Sequence, residues 1–234
     1  MKPGSKSYRA PHRWQVPPKR AVAIQRELAE HVRLIPAPMP ERIVGLDCAF
    51  LDADILAVAV VWHVSEARVL ETRGARQRLR FPYVPGLLSF REVPVLLAVL
   101  RRLRSEFDAV MCDGQGVAHP RRFGLASHLG VILGVPTMGC AKSKLCGEYG
   151  RLGVQRGAKV PLVDKRERVG FVLRTRDRVR EVYVSAGHLC SHENAVEWAL
   201  ACGGGYRVPE PTRLADRFVA AFKRDGRYRG GMLS

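Results

Sequence analysis

Between residues 109 and 141 the chain can fold in few ways. Ala109-Val110-Met111-Cys112 is a short apolar run of the kind buried on both faces of a sheet, and Asp113-Gly114-Gln115-Gly116-Val117-Ala118-His119-Pro120 follows it directly. Beyond it the apolar spacing turns helical, with His119 the expected cap and Pro120 the expected first helical residue, until Gly134 and Pro136 stop it. Thr137 to Ala141 reads as a second strand, and Lys142 emerges at its end. A strand–helix–strand crossover makes the two strands parallel, so Asp113 and Lys142 leave the sheet at the same edge. In open α/β sheets ligands collect there: a strand-end acid can hold a hard cation, and free N–H groups at a helix start can hold phosphate. The plainer alternative for Asp113 is a cap on the turn.

Upstream, Ile43 to Phe50 has strand alternation, with Val44, Leu46, Cys48 and Phe50 on one face and Ile43, Gly45, Asp47 and Ala49 on the other. Asp47 stands among small neighbours, and an unpaired buried carboxylate is costly unless a cation joins it. Leu56–Val64 and Arg68–Thr72 follow as strands joined by short turns, so the first three strands form an antiparallel meander. In Phe81-Pro82-Tyr83-Val84-Pro85-Gly86, prolines on both sides of Tyr83-Val84 hold an extended, stiff loop. Its ring either enters a base stack or packs on its own domain.

A helix is expected from Val93, marked by Leu96, Leu97, Leu100, Leu103 and Phe107. Ser89 and Glu92 have capping-box spacing, yet with Pro94 as the first helical residue that box falls too early and Glu92 needs another purpose. Residues 151–168 read as a basic loop, Val169–Thr175 and Val179–Ser185 as a hairpin, Ser191–Cys202 as a capped helix and Pro211–Lys223 as the last helix. His188, Cys190 and His192 lack a fourth ligand spaced for zinc. Residues 21–33 form an amphipathic helix carrying Val22, Leu28 and Val32 on its apolar side.

With 39 Lys or Arg against 22 Asp or Glu, the chain carries a formal +17, which points to a polyanionic partner, most often nucleic acid. Residues 1–20 hold six of those basic residues, four prolines and no acid, and read as a mobile arm. Residues 21–223 then form one domain and 224–234 a fraying tail. The cysteines at 48, 112 and 140 lie in apolar strand-like runs, where free thiols are expected. With no signal peptide and no long apolar run, the cytoplasm is the expected location and no membrane contact is foreseen.

Asp47, Glu92, Asp113 and Lys142 collected beside a phosphate-friendly turn suggest metal-assisted phosphodiester hydrolysis. A three-strand meander continued by parallel strands, with acids on strands one and four, outlines an α/β, ribonuclease H-like mixed sheet flanked by helices.

Several motifs then occur in order: Val44-Gly45-Leu46-Asp47, Pro82-Tyr83-Val84-Pro85-Gly86, Phe90-Arg91-Glu92, Asp113-Gly114-Gln115-Gly116 with Ala118-His119-Pro120, Ala141-Lys142-Ser143-Lys144-Leu145 and Pro209-Glu210-Pro211-Thr212-Arg213. On these the chain resembles the endonuclease V family, the deoxyinosine 3′-endonucleases of inosine repair, over about residues 20–220. The resemblance implies that Asp47, Asp113 and Glu92 bind Mg²⁺, with Mn²⁺ able to substitute, and that Lys142 and His119 act around the scissile phosphate. It makes Tyr83, framed by Pro82, Val84 and Pro85, a wedge filling the gap left by a flipped base. Gly86, Gly114, Gly116 and Gly139 would shape a hypoxanthine pocket. The implied product is a nick at the second phosphodiester bond 3′ to the lesion, leaving 3′-hydroxyl and 5′-phosphate, made by a monomer on deoxyinosine-containing DNA. Inosine-containing RNA is the alternative substrate, and a non-cutting nucleic-acid-binding module a further one. Three departures stand out: Cys146 in place of the family's usual tyrosine, Ala186 where proline is common, and Asp216 at a position where members differ, a candidate fourth acid.

Overall fold

The computed structural model describes residues 8–231. Its centre is one eight-stranded sheet in the order β3-β2-β1-β4-β5-β8-β7-β6. The strands are β1 (Arg42–Leu51), β2 (Asp54–His63), β3 (Arg68–Arg78), β4 (Ala109–Cys112), β5 (Thr137–Ala141), β6 (Lys159–Asp164), β7 (Glu167–Leu173) and β8 (Val182–His188). The first three form the expected antiparallel meander, and β1, β4 and β5 run parallel side by side. β8, β7 and β6 extend the sheet antiparallel.

Strand alternation sorts the two faces. Val44 and Leu46 of β1, with Ala57, Ala59 and Val61 of β2, share a core with helices α2 (Leu88–Leu100) and α3 (Leu125–Leu133). On the opposite face Leu56, Val58 and Val60 meet Ala215, Val219 and Phe222 of α5 (Glu210–Asp225), while α4 (His192–Ala201) covers β7 and β8. Ser191 caps α4 in a reciprocal box with Asn194. The thiols are all free. No helix among the described residues is long and apolar enough to cross a membrane.

Four expectations need correction. Residues 151–168 are not wholly loop: β6 lies there as an edge strand, its Pro161 and exposed positions hiding it from an apolar pattern. α2 starts at Leu88 and carries Pro94 inside it, so Ser89 lies within the helix, with Oγ 2.9 Å from His128 Nδ1, and caps nothing. α3 starts at Leu125 behind Gly124, and His119 does not cap it. The fourth concerns the ends.

From Tyr8 onward the expected basic arm is docked. Tyr8 is buried, Trp14 packs on Phe90, and His12 Nε2 sits 2.8 Å from His128 Nε2. α1 (Pro18–Ala29) follows, packing Ala21 and Ile24 against Phe81, Leu87 and Phe90 and also burying Gln25. Residues 1–7 and 232–234, the remainder of the arm and tail expectations, lie outside the described residues. At the other end Tyr228 packs on Phe222, and Gly231 accepts a hydrogen bond from Thr72 N, so the stretch after α5 is held against β3.

Candidate active site

α5 crosses β1 at close range. A Cβ on Gly45 would lie 2.1 Å from the Pro211 carbonyl carbon, so only glycine permits the approach. From that crossing, Pro211 to Asp216 advances about 7.5 Å along the helix and Gly45 to Asp47 about 7 Å along the strand. The two acids therefore meet. β4 is in parallel register with β1, Leu46 beside Cys112, so Asp113 leaves the sheet next to Asp47. Oxygens of Asp47, Asp113 and Asp216 all lie within 4.8 Å of one another.

Glu92 is outside that group and comes from α2, on the opposite face of the sheet. It is felt there electrostatically: burial first, then Asp47 and Asp113, raises its carboxyl to about 8. Burial, with Asp113 close by, likewise raises Asp47 to about 7. Lys142, at the end of β5 as expected, supplies the local countercharge, with Nζ 2.6 Å from Asp113 Oδ2 and 2.9 Å from Asp216 Oδ2. Burial alone would lower its pKa, but the two carboxylates outweigh that and raise it. One ammonium among four carboxyls leaves negative charge uncompensated. The donors are all hard oxygens, which suits a divalent cation of the magnesium or manganese type.

Beside the acids opens a cleft of about 470 Å³. Asp47, Asp113, Gly114, His119 and Lys142 line it, facing Tyr83, Val84, Pro85 and Gly86. Val84 to Leu87 forms a tight turn, with Leu87 N donating to Val84 O at 3.0 Å and Gly86 at φ +76°, the pattern in which proline then glycine is favoured. Tyr83 is 75% exposed, with the Arg91 guanidinium near its ring, so the packed alternative does not describe it.

Of the glycines expected around the base, Gly86 and Gly114 line the cleft, whereas Gly116 and Gly139 lie beneath it. A Cβ on Gly139 would fall 2.3 Å from Gly114 O, and one on Gly116 2.0 Å from Ala186 O. These two let the Asp113–Gly116 turn sit directly on β5 and β8. Pro82 is exposed and stiffens the loop from outside the cleft.

His119 is buried, with Nε2 donating to Gly86 O at 3.1 Å and Nδ1 accepting from Arg121 N at 3.2 Å. Burial and then Arg121 lower its pKa to about 4, so the ring is neutral near pH 7. Sequence reasoning missed two partners in this arrangement. Arg121 Nη2 also donates to Gly86 O, at 2.6 Å, and Gln25 Nε2 does so at 3.1 Å, while Gln25 Oε1 accepts from Arg121 Nε. Nothing in the sequence marked Gln25 as buried; it is simply a glutamine in the amphipathic helix. Gln115, which also lines the cleft, donates to Ser143 O at 3.0 Å. His188, Cys190 and His192 bond separately, to Arg33 N, Thr137 O and Ala186 N.

The family model described as Endonuclease V matches residues 26–217. The Endonuclease V of Methanothrix thermoacetophila is 48% identical over 208 residues, spanning 89% of this chain and 93% of that protein. A crystal structure of the Endonuclease V from Streptomyces avermitilis superposes with a TM-score of 0.88 at 41% identity, covering 94% of this chain and 99% of that one. The Endonuclease V of Ciona intestinalis, in complex with a 24mer DNA containing an inosine followed by a ribo-adenosine, shares the fold at 23% identity and TM-score 0.78, covering 89% of this chain and 98% of its own. With this sheet, this acid cluster and a family match across most of its length, the chain belongs to the endonuclease V family of nucleases.

Proposed function

We propose that the protein is a DNA repair endonuclease that recognises deoxyinosine and hydrolyses the second phosphodiester bond on its 3′ side, leaving 3′-hydroxyl and 5′-phosphate ends. One observation carries the reading: a single cleft is walled on one side by the exposed Tyr83 loop and on the other by Asp47, Asp113 and Lys142. A base rotated out of a duplex and the backbone running from it can thus meet a pocket and an acid cluster together.

In this reading Asp47, Asp113 and Asp216 hold Mg²⁺, with Mn²⁺ able to replace it, and Glu92 adjusts their charge from the α2 side. A bound divalent ion would polarise a phosphoryl oxygen and lower the pKa of an attacking water. Lys142 stays protonated and places its charge where negative charge develops on the phosphate. Tyr83 fills the vacated stack, and the Pro82–Pro85 frame limits the freedom it loses on insertion. Gly86 and Gly114 present backbone rather than side chains to the base.

His119 acts as a positioning residue. Its two ring nitrogens are spent on Gly86 O and Arg121 N, which ties the wedge loop to the turn carrying Asp113.

The test is a labelled duplex with one deoxyinosine, incubated with protein and Mg²⁺, with the cut mapped against a sequencing ladder. A nick at the second bond 3′ to the lesion is expected. Equal cutting of the adenine control, or no cutting, overturns the reading.

A further inference from the structure

A second cleft, of about 610 Å³, lies between the docked N-terminal segment, α2 and the Ile55 and Gln77–Arg78 ends of β2 and β3. Among the described residues five arginines line it, namely Arg9, Arg78, Arg80, Arg91 and Arg101, and no carboxylate does. Little among the described residues offsets those charges. Arg78 reaches Asp54 only at 3.9 Å, and Asp54 is already held by Arg76 at 2.6 Å. Arg101 is bonded to the Tyr8 carbonyl, and Arg91 Nε is buried with no partner among the described residues. Arg9 and Arg80 are exposed. Guanidiniums grouped this way repel one another, and an anion of repeating charge relieves that cost.

The cleft is continuous with the active site through one side chain. The Arg91 guanidinium carbon lies 4.6 Å over the Phe50 ring and 5.6 Å from the Tyr83 ring centre. The order along the surface is therefore acid cluster, Tyr83, Arg91, arginine cleft. We propose that this cleft holds the phosphate backbone of the substrate on the side of Tyr83 away from the acid cluster. This rests on the function proposed above. Because the cut falls 3′ to the lesion, the cleft takes the 5′ flank. Its outer wall is residues 8–15, which precede the family match at 26–217, so this contact belongs to the N-terminal segment as much as to the catalytic domain.

The test uses the full chain and a fluorescently labelled deoxyinosine duplex, with binding read by anisotropy over a salt series in the absence of added metal. Nicking with Mg²⁺ is measured in parallel. The variant is Arg9→Ala/Arg80→Ala, both exposed positions outside the catalytic machinery. The control is Arg151→Ala/Arg176→Ala, also exposed, at the far end of the sheet beyond β8. The cleft variant should lower the slope of log K against log salt by about two. It should also raise KM for nicking while kcat stays within about twofold, since phosphate contacts position rather than react. Both effects should disappear on a duplex truncated just 5′ of the lesion. An unchanged slope, an equal drop in the control, or an effect that survives the truncation overturns the proposal. Failure of the wild-type protein to nick overturns the functional reading instead, and the anisotropy series still decides the cleft.

Discussion

His119 Nε2 lies 3.1 Å from the carbonyl oxygen of Gly86, joining the turn that follows Asp113 to the loop that carries Tyr83. These two segments are 33 residues apart in the chain and meet only through the fold. Arg121 and Gln25 converge on the same oxygen, so one carbonyl ties the Tyr83 loop both to the turn after Asp113 and to α1.

His119→Ala should therefore slow nicking of a deoxyinosine duplex roughly ten- to a hundredfold, the size expected when a reacting group is misplaced by about an ångström. His119→Gln, which can still donate to Gly86, should recover part of that rate. Because the ring is neutral near pH 7, both variants should keep the wild-type pH–rate profile. A profile that loses an ionisation in His119→Gln would instead mark His119 as a proton carrier.

Tyr83→Ala should leave thermal stability within about a degree or two, because the residue is 75% exposed. Binding to a deoxyinosine duplex should weaken roughly ten- to a hundredfold, the range of a lost base–aromatic stack. The loss should be much smaller on single-stranded substrate, which has no stack to fill. Equal losses on both would remove the wedge role.

Asp113→Ala should cut nicking by on the order of a thousandfold or more while leaving most duplex binding, which phosphate contacts from Lys and Arg supply. Asp216→Asn should weaken divalent-ion affinity, read by the metal concentration giving half-maximal nicking. Glu92→Gln, whose carboxyl lies outside the three-acid group, should move that midpoint less. The reverse order would place the ion on the α2 side of Asp47.

Two sets of buried groups oppose each other in pH. Burial raises Asp47 to about 7 and Glu92 to about 8, against an ordinary carboxyl value of about 4, so their contribution to stability is present below about pH 4 and is lost progressively as pH rises from there through those values. Burial lowers His12, His119, His128, His188 and His192 below their ordinary value of about 6.5, so their contribution is lost as pH falls below it. Metal-free protein should melt highest near about pH 6.5, where the protons retained by the folded carboxyls balance those the unfolded histidines take up. Added Mg²⁺ should move that maximum upward, because the ion binds the carboxylates as their protons leave. Asp47→Asn should flatten the alkaline decline. Melting curves by circular dichroism across pH check all three outcomes.

The local patterns were legible where chemistry and spacing agree. Alternation in β1 put Val44 and Leu46 on one face and Asp47 on the other, and the crossover from Ala109 to Ala141 set Asp113 and Lys142 at one edge; the 2.6 Å ion pair between them confirms that edge. Patterns failed where distant residues decide. Residues 119–124 have helical spacing, yet Gly124 N bonds Gly116 O, Ala126 N bonds Gln115 O, and Arg122 turns at φ +55°, so the chain folds back before α3 begins. Residues 8–17 have the composition of a free arm, but Tyr8 and Trp14 find apolar surface on α2 that composition does not reveal.

By itself the sequence determined which acids stand at strand ends and on which side of β1 they point, since strand parity and crossover handedness are local and chiral properties of the backbone. Only the tertiary structure decided that Asp216 completes the group with Asp47 and Asp113 while Glu92 stays outside it. That choice depends on where α5 crosses β1. The close approach of Pro211 to Gly45 sets the crossing point, a contact between residues 166 positions apart that no periodicity encodes.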